Sequence, residues 1–124
     1  VIAGSTRMKA GTAQKITLNL FSTSLMVRLG HTWRGQMVDM RLSNAKLVQR
    51  AHRMLPPLSP CTPAEAEAAL KQAQGSIKLA VLLLHGRNTG LEPAQARTLL
   101  ALCNGRLGDA IERLPQPACG SMRA

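Results

Sequence analysis

Phe21 and Trp33 are the only aromatic side chains in 124 residues, and there is no tyrosine. Sheet cores draw on aromatic and β-branched side chains to fill a pleated surface. Here the apolar content is mainly alanine, leucine, valine, isoleucine and methionine, which predicts helix packed on helix. The expected class is mostly α, and all-β folds are excluded. Apolar residues make up 45 % of the chain, too many for a disordered tail. The length allows one domain or two small ones. The longest apolar run, Leu79 to Leu84, is far short of a membrane span. The chain opens VIAGSTRMK, with neither a signal-peptide pattern nor an initiator methionine, so Val1 is expected to be an internal position of a longer protein.

Charge is lopsided. Residues 1–55 carry nine bases and one acid, Asp39, for a net +8, out of +10 for the whole chain. Such a half attracts something anionic: nucleic acid, a phosphorylated small molecule or an acidic surface. Cys61, Cys103 and Cys119 are odd in number and lack CxxC spacing, so neither a disulfide framework nor a zinc site is indicated. A reducing, cytoplasmic setting fits that usage. His31, His52 and His85 have no helical ligand spacing and read as surface or packing histidines.

Pro56-Pro57, followed by Pro60 and Pro63, marks the clearest boundary, because proline lacks the N–H and fixes φ. Upstream, Leu18, Phe21, Leu25 and Leu29 form a helical stripe, widened by Ala13, Ile16, Leu20 and Val27. This predicts an amphipathic helix over 12–29, closed by Gly30 and buried on more than one side. Residues 31–37 read as loop, and Val38, Met40 and Leu42 alternate as in a short strand or an extended connection. Ser43 is the expected cap of a helix ending at Leu55, with Leu47, Val48, Ala51 and Leu55 inward.

Downstream lies an internal repeat. Shifting residues 62–84 by 30 positions superposes Pro63 on Pro93, Ala66 on Ala96, Leu70 on Leu100, Gly75 on Gly105 and Ala80 on Ala110. Thr62-Pro63-Ala64-Glu65 has the form of a capping box with proline at the first helical position. A helix to about Ala73 follows, then a left-handed Gly75 at its end, then a second helix capped by Ser76. Two such helical pairs are too small to bury cores separately and must pack on each other. Cys103 falls on a core position of the repeat, as an inert thiol.

One segment has the composition of a site: Gly4-Ser5-Thr6-Arg7-Met8-Lys9-Ala10-Gly11-Thr12. Glycines let a ligand approach the backbone, hydroxyls donate to phosphate or sugar oxygens, and Arg7 and Lys9 supply charge. The helix starting there adds free N–H groups and the positive dipole end. The string is an anion cradle but not GxxxxGK[ST].

VIAGSTRMKAGTAQK, with NLFSTSLMVRLG and MVDMRLSNAKLVQRA after it, closely resembles the signature region shared by bacterial N-acetylmuramic acid 6-phosphate etherases and the glucokinase regulatory protein. The SNAKL stretch and the helical repeat favour the etherases, and the resemblance runs to about Leu114. It implies the C-terminal portion of a longer protein. Residues 1–55 would be the end of an α/β sugar isomerase (SIS) domain, entered from a last strand at Val1-Ile2-Ala3. Residues 56–61 would be a linker, 62–114 a small ubiquitin-associated-like helical module, and 115–124 a flexible tail.

The implied reaction is that of a lyase in cell-wall amino-sugar recycling: β-elimination of D-lactate, then water addition, giving N-acetylglucosamine 6-phosphate. Acid–base work of that kind needs positioned carboxylates. The family's catalytic glutamates and main phosphate loop lie upstream of Val1, so this chain is expected to hold no catalytic residue and to be inactive alone. Ser5, Thr6, Arg7 and Lys9 match the family pattern and are the implied substrate contacts. No cofactor or metal is implied. The implied partners are a phosphorylated amino sugar and a second copy in a homodimer, with no membrane. Two other functions compete. A non-catalytic sugar-phosphate-binding regulator would share the same loop. A basic nucleic-acid module would use the charge, but two rings give few stacking platforms and no helix-turn-helix or RNP string is present.

Overall fold

The structure is a computed structural model that describes residues 3–115. The implied strand at Val1-Ile2, Cys119 and the tail from 116 lie outside the described residues. Six α-helices dominate: α1 (Thr6–Arg28), α2 (Ala45–Leu58), α3 (Pro63–Gln72), α4 (Ile77–His85), α5 (Pro93–Leu102) and α6 (Leu107–Glu112). Among the described residues the single sheet is a two-residue hairpin, β1 (Thr32–Trp33) against β2 (Gln36–Met37). The mostly α expectation holds.

α4 is the centre. Its residues Ile77 through Leu84 are all buried, as a helix apolar on every side must be. α2, α3, α5 and α6 pack around it. The repeat is realised in both copies. Thr62 accepts from the Glu65 amide at 3.2 Å, and the Glu65 carboxylate accepts from the Thr62 amide at 2.6 Å. In the second copy the Gln95 side chain closes the same turn by accepting from the Glu92 amide at 3.1 Å. Each first helix ends in two left-handed residues, Gln74-Gly75 (φ 52° and 81°) and Asn104-Gly105 (φ 51° and 72°). The amides of Gly75 and Gly105 donate back to the Leu70 and Leu100 carbonyls, both at 2.9 Å. Glycine was expected to be the one left-handed residue, but it is the second of a pair. Cys103 is buried, as its place in the repeat predicts.

Several expectations are corrected. No residue of α1 is buried. It starts at Thr6 rather than at 12, and its apolar stripe faces solvent because, among the described residues, only β1 and Arg106 meet it, at its C-terminal end. Phe21 is 68 % exposed and Leu18 67 %.

Residues 31–37 are a hairpin, not a loop. Arg34 and Gly35 (φ 47° and 73°) make the two left-handed turn positions, which match the twist of the paired strands. Arg-Gly is a weaker signal than Asn-Gly, and residues 38–42, read as extended, form no strand.

Asn44, not Ser43, caps α2, its Oδ1 accepting from the Leu47 amide at 2.9 Å. α2 also runs on through Pro56-Pro57 to Leu58. Both prolines lie in its last turn, where their φ suits a helix and only the bonds to His52 and Arg53 are forfeited. Leu55 and Leu58 are fully buried and hold that turn, and the Ser59 amide still donates to Leu55 at 2.8 Å. Val48, expected inward, is exposed, while Met54 joins the core.

Candidate functional site

The glycine-hydroxyl-cation segment folds as the entry to α1. Gly4 is left-handed (φ 80°), and Ser5 is the N-cap residue, yet its hydroxyl makes no capping bond. The Thr6 amide turns back to Gly4 O at 2.9 Å, and Lys9 to Ser5 O is a helical bond at 3.1 Å. The amides of Arg7 and Met8 precede that bond and are left facing out of the helix end. No acid stands in the first turn. Arg7 and Lys9 therefore add charge to the positive end of the dipole, an arrangement that costs the helix about 0.3–1 kcal/mol per cation and favours an anion there.

Ser5, Thr6, Arg7 and Lys9 thus share one helix end, but not one face. At about 100° per residue, Arg7 and Lys9 lie roughly 200° apart around the axis, so they flank the end from opposite sides. Lys9 lies one turn above Ser5. The far end of α1, at Arg28, is about 33 Å away at 1.5 Å per residue. No other described element of the chain therefore contributes to this turn.

Gly11 is a further signal. It sits in the interior of α1 with nothing within 4 Å of an added Cβ. Glycine costs an exposed helix about 1 kcal/mol relative to alanine, and nothing inside the chain repays that cost. Gly11→Ala is expected to stabilise α1 in this chain by about that amount, read as higher helicity in circular dichroism. Unchanged helicity in the Gly11→Ala chain would show that the glycine costs α1 nothing.

Asp39, the one acid upstream of residue 65, is not free for acid–base work. Its Oδ2 accepts from Lys78 Nζ at 2.8 Å and pairs with His31 Nδ1 at 2.5 Å. Burial pushes the carboxyl up, but the hydrogen bonds from Lys78 and His31 outweigh it and hold the group below its ordinary value. Sequence reading noted Asp39 only for its isolation and missed this cluster, since the three residues are spread over positions 31 to 78. His85 behaves as a packing group. It donates to Val81 O at 3.0 Å and meets Trp33 edge-on at 5.6 Å. Among the described residues no three His, Cys, Asp or Glu side chains gather as a metal site, and no helix is long and apolar enough to cross a membrane.

Fold and site together define a helical module with a positively charged helix end that, among the described residues, has no carboxylate pair beside it. No family model matches the chain. It is 46 % identical to the N-acetylmuramic acid 6-phosphate etherase of Erwinia tasmaniensis over 111 residues, 90 % of this chain and 35 % of that protein. The Mesorhizobium japonicum etherase is 44 % identical over the same shares. The Jannaschia etherase is 51 % identical over 81 residues, 65 % of this chain and 26 % of that protein. The chain thus spans about a third of the length of the curated relatives it matches, in their C-terminal part. Over the matched residues it is similar to the C-terminal part of these N-acetylmuramic acid 6-phosphate etherases.

Proposed function

We propose that this chain is the C-terminal portion of a lyase that removes D-lactate from N-acetylmuramic acid 6-phosphate, leaving N-acetylglucosamine 6-phosphate, in a cytoplasmic recycling route for cell-wall amino sugars. The observation that carries the reading is the identity of 46 % sustained over 90 % of the chain. In this reading α1 belongs to a SIS domain completed by upstream residues, which cover its exposed apolar stripe. The helical repeat is a ubiquitin-associated-like module, and the enzyme is a homodimer. Ser5, Thr6, Arg7 and Lys9 contact the phosphorylated sugar. Hydroxyls and cations at a helix end suit a phosphate or a ring of hydroxyls, and the first turn lacks an acid to repel them.

The chemistry itself falls outside the chain. Elimination beside an aldehyde needs one carboxylate to take the proton and another group to assist the departing lactate oxygen. Asp39 stands without a second carboxylate and is held by Lys78 and His31. The purified chain is therefore expected to release no D-lactate from N-acetylmuramic acid 6-phosphate, while the longer parent does. Turnover by the chain alone, in a preparation free of other etherase, would place catalytic groups within it.

A further inference from the structure

The connector between α1 and α2 is tied to the repeat by contacts that the repeat's own packing does not require. At its start, Gly30 (φ 74°) closes α1, with its amide donating to Val27 O at 3.1 Å and the next amide, of His31, to Met26 O at 3.0 Å. Arg106, the N-cap residue of α6, donates from Nη2 to Arg28 O at 3.2 Å and so neutralises the carbonyl end of α1. Further on, Val38 is 1 % exposed, and its amide donates to His31 O at 3.0 Å.

The repeat makes the next pair of contacts informative. Lys78 and Gly108 occupy the same place in the two copies, 30 residues apart and second in their helices. Both meet this connector, in different ways. A Cβ on Gly108 would lie 3.5 Å from Trp33 Nε1, an ordinary contact distance, so the indole of the connector packs against this position. Lys78 instead reaches Asp39 at 2.8 Å, with its own side chain 8 % exposed. A buried ammonium at the positive end of a helix is doubly disfavoured, by desolvation and by the dipole. An apolar residue would serve the core of α4 better. What Lys78 adds is a bond to the connector.

We propose that Asp39 is a clasp, shared between Lys78 and His31, that locks the connector onto the start of α4 and so fixes the direction in which α1 leaves the repeat. Asp39 is half-exposed, so it can release into water, and Lys78 must then carry its charge outward or stay buried unpaired. Releasing the clasp therefore loosens the connector, and with it the angle at which α1 is held, while the repeat stays folded.

Amide hydrogen exchange on the whole chain tests this. Asp39→Asn alone strands the Lys78 charge and risks unfolding, so the deciding variant is Asp39→Asn with Lys78→Met, which buries no charge. In that variant the amides of Val38 and His31 should exchange at least tenfold faster than in the unaltered chain. Those of Leu82 and Leu83 in α4 should stay within about twofold. Unchanged exchange at Val38 would overturn the proposal. So would equal acceleration in α4, which would make the ion pair an ordinary part of the core.

Discussion

Leu82→Ala is expected to lower the unfolding free energy of the chain by about 3–5 kcal/mol, the loss of a buried leucine whose cavity does not collapse. Leu82 is 0 % exposed in α4, and helices surround it on several sides, so no single neighbour can move in without leaving another. Domains of this size have about 5–15 kcal/mol in total, so this one change removes a large part of it. Phe21→Ala makes the contrast. The ring is larger, but it is 68 % exposed on α1, and in this chain its removal should change stability by about 0.5 kcal/mol or less. Urea unfolding followed by helix dichroism reads both. Equal losses would mean that α1 is covered in solution, by a second copy of the chain.

The repeat was the most legible part of the fold, because its signals are local. Thr62, Pro63 and Glu65 define a helix start through their own hydrogen bonds, and Gly75 and Gly105 an end through backbone geometry. The prolines at 56 and 57 misled for the opposite reason. Their local preference ends a helix, but burial of Leu55 and Leu58 sets where the chain runs. α1 shows the limit of periodicity. An apolar stripe says that a face is made to be covered, and cannot say that the covering residues are in the same chain.

At the candidate site, composition singled out the segment and its positive charge. It did not show that Arg7 and Lys9 flank the helix end from opposite sides, which follows once α1 begins at Thr6. The Asp39 cluster was invisible, since nothing local links positions 31, 39 and 78.

The second large effect concerns that loop. In the longer parent, Arg7→Ala is expected to weaken sugar-phosphate binding by about 1.5–3 kcal/mol, the range for a hydrogen bond to a charged group, or roughly 10- to 150-fold in Kd. Arg7 is exposed on the first turn and among the described residues makes no ion pair, so truncating it strands no buried partner. Fold stability should not fall, because removing the cation relieves its cost at the positive end of α1. Arg7→Lys keeps the charge and loses the planar fork, and its affinity should fall between the two. A residue serving only the helix start would behave otherwise. Its loss would lower stability by about 1 kcal/mol and leave affinity alone.

The decisive measurement is a titration of N-acetylglucosamine 6-phosphate, the expected product, into the parent protein and its Arg7→Ala variant, with thermal unfolding recorded on the same preparations. The predicted result is a Kd raised at least tenfold with no fall in the unfolding temperature. Undiminished affinity in a folded Arg7→Ala protein would contradict the account and remove this helix end from the substrate site.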